Sequence, residues 1–411
     1  MRVEKRARWA LVIVAAAALV LAATAAARTH SSAAKKPIII GWAYDNKGPM
    51  QPFDTPALAA AQIEVAKINK KGVDGRKIVI RTCKTQGDDP TTSKTCADKL
   101  ISEGANVIFT TCDVNLATPV IQESLKHHLL TIAPCIGTDL MGPKTFGKAG
   151  KLAFSFGNVA QDEGSAMAQL AWKKGWKTAD LAKDTTIAYF GAVVSAFKAR
   201  FTQLGGKIVY ETQYQDPALQ KGSTNFHNAA SAIEQHPAKV IVTVTSGSYG
   251  AQLPFITDLR TAGDNTPVLN SWAGDGTYWL PTSGPKVTNY WFVTYANAFG
   301  HDPSAAVNKL AAKLRAENPF DAATGGFVTG PAAIDGLVTA IKRAGGSLVG
   351  SKLAAVMVKF HKVPTLSGNV SFSTKLHTVF GRQYRVVEIN NNQPIARGTI
   401  TAKVVPNSPD S

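Results

Sequence analysis

Residues 106–120 read "NVIFTTCDVNLATPV" and residues 129–139 read "LLTIAPCIGTD". Each holds a short apolar run that ends in polar or turn residues, and a cysteine, Cys112 or Cys135, stands just past the run. A helix from about Thr118 to His127 is expected between them. Strands that are apolar throughout and alternate with helices belong to a parallel sheet covered on both faces. Upstream, the same alternation runs through "PIIIGWAYD" (37–45), a helical pattern that stops at Gly72, "RKIVIRT" (76–82) and a helix from about Thr91 to Glu103. Downstream, a second series is read as strand "TTIAYF" (185–190), a helix to Leu204, "KIVYETQY" (207–214), a helix ending near Gln235, "KVIVTVTS" (239–246), a helix to Ala262 and "TPVLN" (266–270). Two successive series predict an α/β fold with two doubly wound parallel-sheet lobes. "KLAFSFGNV" (151–159) and "YWFVTYANA" (290–298) read as strands passing between lobes. Helices from about Ser304 to Glu317 and Gly330 to Ala344 then return to the first lobe, and the alternating stretch 365–396 reads as antiparallel β structure.

The ends and the composition set the compartment. Arg2, Lys5, Arg6 and Arg8 precede an apolar run from Ala10 to Ala23 and the small residues Ala25–Ala27, the pattern of a secretory signal over residues 1–27. A retained anchor stays open as an alternative, since the run approaches the roughly 18 to 20 residues that span a bilayer. No cysteine lies near the cleavage position and no twin-arginine pattern is present, so export is expected without lipid attachment. The expected product, about 384 residues in the periplasm or extracytoplasmic envelope, is long enough for two lobes of about 190. The formal net charge is +17, and about +14 without the leader. Its lysines are scattered, as in "KKGWK" (173–177), with no basic run interleaved with aromatics, which argues against a nucleic-acid partner.

Four cysteines, Cys83, Cys96, Cys112 and Cys135, in an oxidising compartment imply two disulfides. No Cys-x-x-Cys or His-x-x-x-His spacing supplies metal ligands, so no metal is expected. In open parallel sheets ligands bind beyond the carboxyl ends of the strands. Cys112 and Cys135 stand there, on loops that one crossover brings together, and Cys83 and Cys96 flank the loop 84–95. Of three possible connectivities, Cys83 with Cys96 and Cys112 with Cys135 is preferred. Aromatics at or just past strand ends, Phe190 and Trp272 among them, line either pocket or core and as a group favour an apolar or ring-bearing solute. No nucleophile elbow occurs, and "GGSLVGSK" (345–352) lacks the preceding strand of a phosphate loop. A binder with no catalytic residue and no cofactor is therefore expected.

Several stretches, taken in order, resemble the type I periplasmic solute-binding proteins of the leucine/isoleucine/valine-binding family. They are Gly48-Pro49, "GVDGRKIVI" (72–80), "GDDPTTSKTCADKLI" (87–101), "PCIGTD" (134–139), "FSFGNVAQDEG" (154–164) and "LSGNVSF" (366–372). The resemblance implies three crossovers, near Phe154–Gly157, Val293–Ala296 and Ser367–Val370, and a cleft that closes on a small solute. It implies a first lobe of residues 37–154 plus 296–366 and a second of 155–295 plus 367–405. The partners implied are a small-molecule solute and the permease subunits of an ABC importer, with the binding protein a monomer. A sensor that presents the closed form to a signalling partner is the alternative. The ligand contacts carried over are Phe53, Gly137, Thr138 and Tyr249, with Cys112 and Cys135 at the same edge. Two positions depart from the family. Asp113 stands where a hydroxyl receives the ligand carboxylate, and Ala273 where an acid pairs with the ammonium, with Asp275 two residues on. Asp113 at a helix amino terminus would repel a carboxylate there, or cap its own helix, or both.

Overall fold

The computed structural model describes residues 35–216 and 225–409, so the expected signal segment lies outside the described residues. The first series is β1 (Ile38–Tyr44), α1 (Gln51–Ile68), β2 (Ile78–Lys84), α2 (Pro90–Ser102), β3 (Val107–Phe109), α3 (Val114–Lys126), β4 (Leu130–Ala133), α4 (Pro143–Phe146) and β5 (Ala153–Asn158). The second is α5 (Ala160–Lys173), β6 (Thr178–Asp184), α6 (Ala188–Gln203), β7 (Lys207–Tyr214), α7 (Asn225–Glu234), β8 (Val240–Thr243), α8 (Gln252–Thr261), β9 (Val268–Asn270) and β10 (Tyr290–Thr294). Helices α9 (Ala305–Glu317), α10 (Thr329–Arg343) and α11 (Gly350–Met357) follow. The chain closes with β11 (Val363–Thr365), β12 (Gly368–Val370), β13 (Thr378–Val379), β14 (Tyr384–Asn390) and β15 (Gln393–Ile400).

These strands form two sheets, a six-stranded one in the order β13-β5-β4-β3-β1-β2 and a seven-stranded one in the order β15-β14-β10-β9-β8-β6-β7. The first is parallel throughout, and the second is parallel up to β10, where the β14–β15 hairpin joins antiparallel. Central strands such as Val107–Phe109 are buried on both faces, which is why they lack a polar alternation. On the first sheet, Ile334, Leu337 and Ile341 of α10 pack with Ile38, Ile40 and Phe109 in one core. The late helices thus cover the early strands.

Three details differ from expectation. The segment "TTIAYF" is not a strand: β6 lies earlier, over Thr178–Asp184, and α6 begins within the stretch, at Ala188. Asp180 and Asp184 are both buried in that strand, and their charge hid its apolar character. Helix α3 starts at Val114, a turn before Thr118, because the side chain of Asp113 already caps it. The third passage between sheets is also displaced. Ser367–Val370 falls in the two-stranded β11–β12 ribbon, after which β13 still pairs with β5, so the chain reaches the second sheet only between β13 and β14. A hairpin turn at Leu366-Ser367 and a two-residue strand leave little periodic signal to place that passage.

Where the three passages meet, the chain is laced by polar groups. Asn158 Nδ2 donates to Asp162 (2.6 Å) and to the hydroxyl of Tyr384, and its backbone N–H donates to the Tyr295 hydroxyl (3.1 Å). Asp162 also accepts from the N–H groups of Gly381 (3.1 Å) and Arg382 (3.2 Å). The buried Arg382 guanidinium lies 4.5 Å from the Tyr295 ring and donates to the carbonyls of Phe156 and Ser367. A residue from each passage takes part, so the crossings share one anchored point.

Candidate functional site

The carboxyl ends of β1, β3 and β4 supply one wall of a cleft. Asp45 directly follows β1 and is fully buried, and its carboxylate accepts from the N–H groups of Lys47 (3.1 Å), Gly48 (2.8 Å), Met50 (3.0 Å) and Gly87 (3.0 Å). A Cβ on Gly48 would sit 2.5 Å from both Asp45 Oδ2 and the Gly87 Cα, so only glycine fits this turn. Asp54, in the first turn of α1, accepts from the N–H of Asp45 (2.8 Å) and of Cys112 (2.9 Å). These bonds fix Met50 and Phe53 at the edge of the cleft.

Asp113 has extended backbone and caps α3, its Oδ1 accepting from the N–H groups of Asn115 (2.9 Å) and Leu116 (3.2 Å). Cys112 is bonded to Cys135 with their Cα atoms 4.7 Å apart, and Cys83 is bonded to Cys96 at 5.5 Å, the preferred pairing in both cases. Gly137 admits no side chain, since a Cβ there would meet the Tyr189 ring at 2.6 Å.

The other wall comes from the start of α6, the loop after β8 and the loop after β9. Met50, Phe53, Cys112, Asp113 and Gly137 face Ile187, Tyr189, Phe190, Ser246, Tyr249, Trp272 and Ala273 around a cavity of about 20 Å³. That volume holds about one water molecule. The walls touch: Ser248 Oγ donates to the Pro49 carbonyl (2.7 Å), Tyr249 hydroxyl to Met50 Sδ (3.6 Å), and the Phe53 ring meets Trp272 edge-on at 4.8 Å. Along the second wall Phe190 lies 5.5 Å from Tyr249, Tyr189 6.3 Å from Trp272, and Trp272 stacks on Tyr295 at 4.8 Å.

Of the residues singled out from sequence, Phe53, Cys112, Asp113, Gly137, Phe190, Tyr249 and Trp272 are brought to this lining, and Asp113 is at once cap and lining residue. Three are not. Cys135 stands behind Cys112, wholly buried. Thr138 is buried and not among the lining residues, and its backbone carbonyl accepts from Thr378 Oγ1 (2.7 Å). Asp275 is fully buried and accepts from Thr294 Oγ1 and from the N–H groups of Gly276 and Gly325, so it ties the loop after β9 to the segment before α10 and has no oxygen at the cavity. Met50, Ile187, Tyr189 and Ser246 line the cavity without having been anticipated; Tyr189 and Ile187 were hidden by the misplaced strand.

Glu163 was also missed. It is fully buried in the first turn of α5, where it accepts from the Trp272 N–H (2.9 Å) and the Tyr189 hydroxyl (2.8 Å), and so positions two aromatic residues of the second wall. Burial pushes its carboxyl up to about 8, against the lowering effect of those two donors. The first wall is acidic too. Burial raises Asp113 to about 6 and Asp88 to about 7, and Asp54, beside Asp88, is held well above the usual range chiefly by burial. No Lys, Arg or His is among the described lining residues. Among the described residues no group of three or more His, Cys, Asp or Glu could hold a metal, and no helix is long and apolar enough to cross a membrane.

A family profile described as "Periplasmic binding protein" matches residues 37–394. Among solved structures, the branched-chain amino acid transporter substrate binding protein LivJ from Streptococcus pneumoniae, in complex with isoleucine, is 16% identical. The match covers 89% of this chain and 99% of that one, with a TM-score of 0.73. An ABC transporter solute binding protein from Rhodopseudomonas palustris HaA2, in complex with p-hydroxybenzoic acid, is 18% identical over 91% of this chain and 100% of that one, with a TM-score of 0.74. Leucine binding protein LivK from Thermotoga maritima is 18% identical over 89% and 99%, with a TM-score of 0.72. No curated protein matches the chain.

Proposed function

The chain belongs to the periplasmic binding protein family, and from that premise we propose that it is exported, captures a small organic solute between its two sheets, and presents the closed form to the permease of an ABC importer. The observation that carries this reading is the cavity whose lining is drawn from the carboxyl edges of both sheets, where open α/β folds bind ligands. Phe53, Tyr189, Phe190, Tyr249 and Trp272 enclose the solute, Asp113 and Ser246 offer it polar contacts, and the Cys112–Cys135 bond braces the loops beneath it. Each lobe is built on one sheet, and the lobes turn about the anchored point at Asn158, Asp162 and Arg382. A cavity of about 20 Å³ admits no organic solute until the walls part, so uptake requires opening about that hinge.

Asp113 and Ala273 leave an amino acid without a donor for its carboxylate or an acid for its ammonium at the corresponding positions, so leucine, isoleucine and valine bind poorly. A thermal-shift screen of the purified protein against amino acids, amides, aromatic acids and small sugars tests the reading. A true ligand at 100 times its Kd stabilises the native state by about 2.7 kcal/mol. Small-angle scattering should then give a smaller radius with that ligand. An unchanged radius argues against closure, and submicromolar leucine binding by calorimetry overturns the specificity.

A further inference from the structure

The lining has one-sided chemistry. Among the described residues, five aromatic side chains and Asp113 line the cavity, and no basic residue does. Immediately behind the aromatics stands a second carboxyl, Glu163, held by Tyr189 and Trp272. The buried guanidinium of Arg382 is committed to the Phe156 and Ser367 carbonyls and the Tyr295 ring. The amino terminus of α3, where a ligand carboxylate would find free N–H groups, is already occupied by the side chain of Asp113 bonded to Asn115 and Leu116. An anion would thus meet the Asp113 carboxyl and no basic side chain among the described lining residues, with the amino end of α6, at Ile187, left without a side-chain cap. A cation meets aromatic faces, whose quadrupoles attract it, and a carboxylate.

Taking the solute-binding reading as its basis, we infer that the solute is an organic ammonium cation without a free carboxylate, held by Asp113 within the cage of Phe53, Tyr189, Phe190, Tyr249 and Trp272. Trp272 adds a further mark. Its indole Nε1–H is buried and has no hydrogen-bond partner among the described residues, although the residue lines the cavity and is only 4% exposed. A buried donor left unpaired is costly, and a neutral oxygen on the same ligand, a hydroxyl or a carbonyl, satisfies it without bringing negative charge.

The test uses the purified protein and a matched panel: benzylamine, phenethylamine, choline and benzyltrimethylammonium against benzyl alcohol, benzoate, phenylacetate and leucine, ranked by thermal shift and measured by calorimetry. At least one cation should bind tenfold or more tightly than every neutral or anionic compound. Asp113→Asn should weaken that cation at least tenfold and leave the melting temperature nearly unchanged, because asparagine caps a helix as well as aspartate does. A carboxylate or neutral compound as the tightest ligand overturns the inference and leaves solute binding standing. So does an Asp113→Asn protein that keeps the full cation preference, or a panel in which no cation binds while a wider library yields an anion or a neutral solute. A wider library that yields no ligand of any charge overturns the solute-binding reading itself.

Discussion

On the first-sheet side the cleft is shaped by the Cys112–Cys135 bond and by backbone N–H groups gathered around Asp45 and Asp54, whereas on the second-sheet side it is shaped by aromatic packing over Glu163. One wall is pinned covalently and by short polar contacts of loop backbone. The other depends on ring faces that keep their positions only while their neighbours do. The difference teaches that substitutions in the two walls should fail in different ways.

The largest effect is expected in the aromatic wall. Trp272→Ala removes a ring packed on Phe53, Tyr189 and Tyr295, and should cost about 3 to 5 kcal/mol in urea unfolding. A loss below about 1 kcal/mol would mean that this wall does not rest on packing. Next, replacing Cys112 and Cys135 together by alanine should cost about 3 kcal/mol, the chain-entropy value for a loop of this order. The same change at Cys83 and Cys96 should destabilise comparably yet leave ligand affinity intact, since neither residue lines the cavity. Equal affinity losses from both pairs would erase the contrast between a bracing bond and a merely stabilising one. Phe53→Ala and Tyr249→Ala, which face each other's lobe, should weaken binding by about 1 to 3 kcal/mol each through lost aromatic contact. Calorimetry with the identified ligand checks this.

The smallest effect concerns pH. Glu163 is raised from 4.5 to about 8 in the folded protein, chiefly by burial, so the native state holds its proton more tightly than the unfolded chain. Its contribution to stability is fully present below about pH 4.5 and is lost as pH rises through about 8, with a slope of at most about 1.4 kcal/mol per pH unit. Glu163→Gln, which imitates the protonated form toward Trp272 and Tyr189, should flatten the pH dependence of unfolding in that window. An unchanged slope would show that Asp54, Asp88 and Asp113, raised in the same direction, account for it instead.

What could be read from the sequence follows the same division. The first wall was legible because its residues sit directly after apolar runs: Cys112 and Asp113 follow Val107–Phe109, and Cys135 and Gly137 follow Leu130–Ala133. In the second wall Tyr249 and Trp272 were legible because a strand announces them, and Phe190 was reached through the misplaced strand. Tyr189 was obscured because buried Asp180 and Asp184 make β6 look polar and shift the apparent strand onto the start of α6. Glu163 carries no local signal, since an acid in a first helical turn is ordinarily a surface residue that favours the helix dipole. Only the approach of two distant loops buries it. Asp275 shows the converse: it stands two residues from a lining residue, but its oxygens go to Gly276, Gly325 and Thr294, and no spacing rule reports which way a loop carboxylate turns.

The late position of β13 bears on how the protein is made. Thr378–Val379 completes the edge of the first sheet beside β5, and the β14–β15 hairpin that follows completes the edge of the second beside β10. Neither sheet is therefore finished until the strands from Thr378 onward are in place. Synthesis halted before Thr378 would leave β5 and β10 with bare hydrogen-bonding edges, open to pairing with another copy. The strands from Thr378 to Ile400 thus close the edges of both sheets together.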